Sequence, residues 1–218
     1  MGKESELSIE QLLSISRRTH SININGILER ILASTYAEFV EVLYSDIDQV
    51  TNYIEQSPQI YTQDAHGEDR ISLNIVNSLK SMGYFATHGA FSGGNTDISV
   101  TTDYYTWIGE AKIHRSYEND FEGFLQLTTR YSNGAENADQ GGLLLYIYNE
   151  NAQDIIARWC TFLDSKSLPE YTRSACPKKR MAFYSCHQHQ TSGYPYKVRH
   201  MPVLLNHDPK DKSARSRK

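Results

Sequence analysis

The sequence lacks a long hydrophobic run: no stretch of its 218 residues approaches the roughly 18 apolar residues that a membrane-spanning helix requires. Its N-terminus is polar and has no apolar segment of signal-peptide length. Cysteine is scarce, and its three copies are odd in number and widely spaced, which argues against a disulfide framework. Together these absences predict a cytoplasmic protein.

The sequence also lacks an excess of positive charge. Its formal net charge is −4, so the molecule as a whole does not attract nucleic acid, and any such binding must depend on local clusters. Basic residues do cluster at Lys178–Arg180 and in the tail KDKSARSRK at 210–218. The tail is also typical of a solvated, disordered chain end.

The length predicts one core domain with extensions. Residues 1–60 are expected to form an N-terminal helical extension: a short helix over residues 6–18, capped by Ser8 and Gln11, and then one long helix or two that stop near Ser57-Pro58. Residues 61–166 are expected to form the core. Residues 167–218 are expected to form a C-terminal β-hairpin region and the basic tail.

Within the core, apolar spacing predicts a helix that ends at Gly83, and then three strands, with a glycine-bearing turn before Asp97. A helix capped by Asn119 or Asp120, a fully buried strand and another helix follow. The pattern predicts an α/β fold with a central four-stranded mixed sheet flanked by helices.

Three polar residues interrupt the apolar pattern of two adjoining core strands between Gly93 and His114. They are Asp97, Glu110 and Lys112. Charged groups in such a place must be desolvated, so they need each other, a metal ion or a substrate. Because side chains alternate along a strand, Glu110 and Lys112 should point to the same side.

This set of residues suits hydrolysis of a phosphodiester. Mg²⁺ takes oxygen ligands, commonly one or two carboxylates with water and substrate, and Asp97 and Glu110 can converge on such an ion. Lys112 would then lie beside the metal, where it can orient the attacking water or stabilise the transition state. A salt-bridged hairpin without catalytic function is the alternative.

The motif Thr96-Asp97 followed by Glu110-Ala111-Lys112, together with the order of elements, resembles the PD-(D/E)XK nuclease superfamily. Thr96 replaces the usual proline. The resemblance covers residues 68–148 and implies a restriction-endonuclease-like fold. It implies that Asp97, Glu110 and the carbonyl of Ala111 bind Mg²⁺ or Mn²⁺, and that Lys112 is the catalytic lysine.

The resemblance extends to two residues outside this motif. Glu68 matches an acid that many members carry on the helix before the sheet, and it is expected to be a catalytic residue and metal ligand. A first-turn acid favoured by the helix dipole is the alternative for Glu68. Gln126 matches a glutamine on the helix after the lysine strand and is expected to be catalytic. In some lineages a tyrosine follows at fixed spacing, which Tyr131, five residues on, does not fit.

The resulting expectation is a metal-dependent DNA endonuclease that acts as a homodimer or as a subunit of a larger system, since two active sites can cut both strands of a duplex. A role in bacterial or phage-related defence fits a small nuclease of this kind. The alternative is a catalytically silent subunit that binds nucleic acid or supports assembly and retains the fold.

A second group of metal-type residues lies near the C-terminus, at Cys186, His187 and His189, with Cys176, His200 and His207 elsewhere. These residue types suit zinc, but the characteristic paired spacings are missing. Polar hairpin residues that face nucleic acid are the preferred interpretation. His114 and Arg115, just past the lysine strand, could contact phosphate or simply form a solvated strand end.

Overall fold

The computed structural model describes residues 8–11, 14, 24–64, 66–89 and 94–211. Most of the helix expected over residues 6–18, the centre of the glycine-bearing turn before Asp97 and most of the basic tail lie outside the described residues. The chain forms two compact units, residues 1–46 and 47–218. The domain boundaries expected from the sequence stay predictions.

Capping boxes begin helices in the first unit. The backbone N–H of Ser8 donates to Oε1 of Gln11 at 2.8 Å, and the N–H of Gln11 donates to Oγ of Ser8 at 3.2 Å, which confirms the predicted cap. Thr35 and Glu38 form the same reciprocal pair, at 3.1 and 3.2 Å. The segment expected to form one helix or two therefore forms two, α1 (Ile24–Leu32) and α2 (Tyr36–Glu55).

The second unit contains the end of α2, three further α-helices, two short helices of other types and all the described strands. The α-helices are α3 (Gly67–Ser81), α4 (Tyr117–Leu125) and α5 (Ala152–Asp164), with a 3₁₀ helix at Pro58–Ile60 and a π-helix at Gln126–Tyr131. The strands are β1 (Phe85–Thr87), β2 (Ile98–Thr101), β3 (Thr106–Ile113), β4 (Gln140–Ile147), β5 (Thr172–Ala175), β6 (Phe183–Gln188) and β7 (Pro195–Leu204). None of the described helices is both long and apolar enough to cross a membrane.

The strands form one mixed sheet of seven strands in the order β1-β2-β3-β4-β7-β6-β5. β3, β4 and β7 run parallel, whereas the strands on either side of them pair antiparallel. The predicted α/β class is confirmed. The sheet has more strands than the expected four because the C-terminal hairpin, β6 and β7, extends it: β7 pairs with β4 along the whole length of β4. The sequence did not predict β5, whose residues are all exposed at the sheet edge.

β4 lies at the centre of the sheet and is covered on both faces. Its residues from Gly141 to Ile147 are all buried, as predicted for an uninterrupted apolar run. On one face Leu143 and Leu145 belong to an apolar cluster with Phe124 of α4 and Trp159 of α5. On the other face the hydroxyl of Tyr146 is hydrogen-bonded to the hydroxyl of Ser72 in α3 at 3.0 Å. Helices therefore cover both faces of the sheet.

The turn from α3 into β1 follows the prediction made for Gly83. This glycine has a left-handed backbone (φ 96°). Its N–H donates to the carbonyl of Lys80 at 3.0 Å, and the N–H of Tyr84 donates to the carbonyl of Leu79 at 3.1 Å. This pair of bonds is a Schellman motif, which ends the helix and directs the chain into the sheet.

A buried ion pair joins the end of α2 to the sheet. Arg199 in β7 has a side chain that is 1% exposed, and its Nη2 donates to Oδ2 of Asp48 at 2.7 Å. We expect Asp48→Ala to lower the free energy of unfolding by about 3–5 kcal/mol, because the guanidinium stays buried without its carboxylate. Urea denaturation followed by circular dichroism measures the loss.

Arg158→Ala is the matched control, because it removes an exposed ion pair with Asp154 of similar length, 2.9 Å. It should change the free energy of unfolding by less than about 1 kcal/mol. If the two variants lost equal free energy of unfolding, burial of the Arg199–Asp48 pair would not be the reason for its contribution to stability.

Candidate active site

The site lies where β3 continues past the start of β2. β2 begins at Ile98, which pairs with Gly109, so beyond that residue the β2-facing edge of β3 has no partner among the described strands. Two carboxylates replace the missing strand. Oδ2 of Asp97 accepts the N–H of Ala111 at 2.8 Å, and Oε2 of Glu68 accepts the N–H of Ile113 at 2.8 Å. Both side chains therefore satisfy backbone donors that no described strand reaches.

Asp97 differs from its predicted position by one residue. The sequence placed it inside a strand, but the structure places it immediately before β2. The physical reason is the contact with Ala111. To accept the N–H of Ala111, the Asp97 side chain occupies the place that the backbone of a longer β2 would take, and a residue paired in the sheet could not do this. Glu68 lies in the first turn of α3, as expected.

Glu110 and Lys112 point to the same side of β3, as predicted. Nζ of Lys112 donates to Oε1 of Glu110 at 2.6 Å and lies 3.7 Å from Oε1 of Glu68. The Glu110 side chain is only 3% exposed. The structure therefore brings together Glu68, Asp97, Glu110 and Lys112 at one edge of the sheet.

The carboxylates outnumber the ammonium group, and the pKa values reflect this. Burial, and next the charge of Asp97, raise the pKa of Glu110 to about 8, although Lys112 opposes the shift. Burial also raises the pKa of Asp97, against the effects of the Ala111 N–H and Lys112. Burial lowers the pKa of Lys112, but the charges of Glu110, Glu68 and Asp97 outweigh it and raise that pKa overall. A further cation would relieve this imbalance.

Asp97 and Glu110 are each hydrogen-bonded through one oxygen. For Glu110 the other oxygen, Oε2, is buried and has no hydrogen-bond partner within the described part of the chain. A buried acceptor without a partner is costly, and a divalent cation with its oxygen ligands is a chemically suitable partner. The carbonyl of Ala111 faces the same edge as its N–H, because both groups of a strand residue point the same way. The residues present thus fit a hard divalent cation.

The carboxylates hold Lys112 rather than forming a compact set of ligands. Among the described residues, no group of three His, Cys, Asp or Glu side chains is arranged to hold a metal ion. Metal binding would require the second oxygens of Glu68, Asp97 and Glu110 to turn toward one point. The expected metal-ligand roles of these residues stay predictions.

The π-helix changes the interpretation of Gln126 and Tyr131. A π-helix bonds residues five apart, so it brings these two residues to nearly the same face, which an α-helix would not. Oε1 of Gln126 is buried without a hydrogen-bond partner among the described residues. Burial, and next the charge of Glu110, raise the pKa of the Tyr131 hydroxyl. Tyr131 was not expected at the site only because its five-residue distance from Gln126 does not fit the spacing that the resemblance implies.

His88 is a further residue at the site, and no sequence pattern predicts it there. Its Nδ1 lies 2.7 Å from the carbonyl oxygen of Asp97. A carbonyl only accepts, so Nδ1 carries the proton and donates it. Nε2 lies 3.7 Å from Oδ1 of Asp69 in α3. His88 therefore fixes the backbone of Asp97. In the sequence, the only sign of this role is the position of His88 at the end of a predicted strand.

The segment between β3 and α4 is held by side chains rather than solvated. His114 is buried, and its Nδ1 lies 2.6 Å from Oδ2 of Asp120, which is fully buried. The helix cap is Ser116, whose Oγ accepts the N–H of Asn119 at 3.2 Å. The predicted cap, Asn119 or Asp120, was therefore wrong: both residues instead bind the end of β3, Asn119 through the carbonyl of Ile113. Arg115 is exposed.

Three of the four C-terminal histidines form part of the core, and the fourth, His207, is exposed. Nε1 of Trp159 donates to Nδ1 of His200 at 3.2 Å, and the hydroxyl of Ser185 bonds Nε2 at 2.8 Å. Burial lowers the pKa of His200 to about 3 and that of His187 to about 4, so both are neutral. His189 is 1% exposed. The expectation that these residues face nucleic acid is therefore wrong for the three buried histidines.

The cysteines give no support to the zinc alternative. Cys160, Cys176 and Cys186 are all free thiols. Sγ of Cys176 accepts from the guanidinium of Arg199 at 3.3 Å, a contact inside the core. His200 has both ring nitrogens engaged, and no metal-type cluster is found within the ranges that the structure describes.

No family model matches this chain, and searches of the curated proteins and of the solved structures also found no match. A functional assignment must therefore come from the site itself, because a fold alone does not fix an activity. The chemistry to be explained is a buried carboxylate beside two others and one lysine.

We expect Glu110→Gln to stabilise the metal-free protein, and to do so more at pH 8 than at pH 5. The folded-state pKa of Glu110, about 8, lies above the ordinary 4.5. Between these values the folded state keeps a proton that the unfolded state has released, so the contribution of Glu110 to stability falls as pH rises through this window. The glutamine variant is neutral at this position throughout and should lose that dependence.

Thermal unfolding in EDTA from pH 5 to pH 8 measures the difference, which should be roughly 2–4 °C for each kcal/mol. Glu122→Gln, on the exposed side of α4, is the matched control and should follow the wild-type profile. A pH-independent difference between Glu110→Gln and wild type would show that Glu110 is not strained by burial.

Proposed function

We propose that this chain is a metal-dependent nuclease with a restriction-endonuclease-like core, and that it hydrolyses phosphodiester bonds in DNA. The observation that carries the proposal is the buried, partner-lacking Oε2 of Glu110, surrounded by Asp97, Glu68 and Lys112 in the described part of the chain. The order of α3, three strands, α4 and β4, with β3 and β4 parallel, supports it, because the PD-(D/E)XK resemblance implies this arrangement.

Asp97, Glu110, Glu68 and the carbonyl of Ala111 would hold a Mg²⁺ or Mn²⁺ ion. The ion would neutralise the phosphoryl oxygens and make a bound water nucleophilic at neutral pH. Lys112, freed from Glu110, would orient that water and stabilise the charge that develops on phosphorus-bound oxygens. One P–O bond would form to the water oxygen as the P–O bond to the departing sugar oxygen breaks. The water would lose a proton to solvent, and the departing oxygen would take one from solvent.

Gln126 and Tyr131 extend the site along the π-helix. The amide of Gln126 would orient the attacking water or a phosphate oxygen, since its Oε1 has no partner among the described residues. Tyr131 would keep its proton, because burial and the nearby carboxylates raise the pKa of its hydroxyl. It can therefore act as a hydrogen-bond donor to the substrate backbone.

DNA is proposed over RNA, and a homodimer or a larger assembly would allow both strands of a duplex to be cut. The basic cluster at Lys178–Arg180 supplies exposed positive charge at Lys178 and Arg180. Lys179 instead bonds Thr51 and Asn52 at 3.1 and 3.2 Å, so it has a structural role. A cytoplasmic role in bacterial or phage-related defence is part of the same proposal.

A catalytically silent subunit is the second candidate, and one observation favours it. Asp97 and Glu68 both bind backbone N–H groups of β3, so a folded protein needs them whether or not it cuts. The hydrogen bond from Lys112 to Glu110 likewise gives the buried carboxyl group a partner without a metal. This alternative predicts nucleic-acid binding without metal-dependent hydrolysis.

We expect cleavage of plasmid or linear duplex DNA with Mg²⁺ or Mn²⁺, and loss of at least about a hundredfold in rate for Lys112→Ala and for Asp97→Ala, because each removes a principal electrostatic group. Single-stranded DNA and RNA are tested in parallel, with EDTA as the blank. Lys80→Ala, an exposed lysine in the last turn of α3, is the control and should cleave like wild type.

Absence of metal-dependent cleavage of every substrate would support the silent alternative. Cleavage that survives both site substitutions unchanged would mean that the activity resides elsewhere.

Mn²⁺ binding should tighten as pH rises from 6 to 8. Glu110 holds a proton below its pKa of about 8, and a metal ligand must release it, so affinity should change by roughly tenfold per pH unit in that range. Isothermal titration calorimetry in buffers of different ionisation enthalpy measures both affinity and proton release. If Mn²⁺ binding released no proton at pH 7, Glu110 would not be a metal ligand that is protonated in the metal-free protein.

A further inference from the structure

Gly123 occupies the inner face of α4 directly over the side chain of Lys112. A Cβ atom at position 123 would lie 2.6 Å from Cγ, 3.3 Å from Cδ and 3.0 Å from Cε of Lys112. The closest of these distances is shorter than real carbon contacts allow. Glycine is disfavoured inside helices, so its presence here requires a reason in packing. The absent side chain lets the helix backbone lie against the lysine stem.

A second contact holds α4 in this place. Asp120 lies one helical turn before Gly123 and shares its face, and His114 lies two residues after Lys112, immediately past the end of β3. Nδ1 of His114 and Oδ2 of Asp120 are 2.6 Å apart and buried. The helix and the strand therefore meet at two successive positions, Asp120 on His114 and Gly123 on Lys112. The helix cannot move away from Lys112 without breaking the buried pair.

The lysine is confined at its other end as well. Its Nζ lies 2.6 Å from Oε1 of Glu110 and 3.7 Å from Oε1 of Glu68. The stem between backbone and ammonium is the part of Lys112 that lies against position 123 of the helix. Closer or looser packing of α4 would therefore change where the ammonium can reach.

We propose that Gly123 is a positioning residue for Lys112: by having no side chain, it lets α4 close on the lysine stem and holds the ammonium group at the carboxylates. The packing part of this proposal is independent of activity, and its catalytic consequence rests on the proposed nuclease function. Gly123 touches no substrate or reacting atom, so it acts only through Lys112.

A stability cycle tests the packing. Gly123→Ala is combined with Lys, Met or Ala at position 112, because methionine keeps an unbranched stem without charge and alanine removes the stem. We expect Gly123→Ala to lower the thermal midpoint with Lys or Met at position 112. It should raise the midpoint with Ala at position 112, where only the better helix propensity of alanine remains. An equal shift in all three backgrounds would overturn the proposal.

The catalytic consequence is measured on Gly123→Ala alone. We expect kcat to fall by about a hundredfold with little change in KM or in Mn²⁺ affinity, because a displacement of about 1 Å at a catalytic group has such an effect. Glu122→Ala, its exposed neighbour on α4, should keep wild-type kcat. Unchanged kcat in Gly123→Ala would overturn the positioning role.

The two proposals fail in different ways. If wild-type protein cuts no nucleic acid, the nuclease function fails, and the stability cycle still decides whether Gly123 packs on the lysine stem. In that case, ¹⁵N NMR of the Lys112 ammonium decides whether Gly123 positions it: a shifted or broadened signal in Gly123→Ala supports the role, and an unchanged signal overturns it.

Discussion

Glu110 is buried between two other carboxylates and a single ammonium group, and the structure around it is arranged to tolerate that excess of negative charge. Lys112 reaches Glu110 and Glu68, while backbone N–H groups of β3 bind Asp97 and Glu68. These contacts reduce the cost of desolvation without removing it, since the pKa of Glu110 is still raised to about 8. Carboxyl groups whose pKa is raised by burial and by neighbouring charge cluster at functional sites.

The strained group can persist because the sheet beneath it is rigid. β2 has four residues and β3 has eight, so β3 extends beyond its neighbour on one side. On its other side β3 is paired with β4 through six registered residue pairs, and β4 is paired with β7 along eight. The extended edge is therefore fixed although one of its sides has no strand partner among the described residues. The difference in strand length provides both the space for the carboxylates and the free N–H groups that bind them.

The α/β class and the order of the core elements could be predicted because they depend on local apolar spacing. Glu110 and Lys112 could be placed together because a strand alternates its side chains. By contrast, joining β7 to β4 is a long-range pairing that no local pattern contains, so the sheet was expected to be smaller. The position of Asp97 before β2, the contact of His88 with it and the burial of His187 and His200 also depend on tertiary packing. The relative placement of Gln126 and Tyr131 could not be predicted either, because it depends on a π-helix and apolar spacing alone does not reveal the helix type.

The residues of the site differ in what their presence implies. Asp97 and Glu68 bind the backbone of β3, so a protein that only needs to fold has a use for them. Folding alone does not require Lys112 or Gly123. An apolar residue at position 112 and a neutral residue at position 110 would remove a desolvated polar pair, often at no cost in stability. Alanine at 123 would then favour the helix. The protein instead keeps a buried lysine and glutamate and a helical glycine that makes room for the lysine. These three residues, more than the carboxylates that hold the sheet edge, are the ones that favour catalysis over a purely structural role.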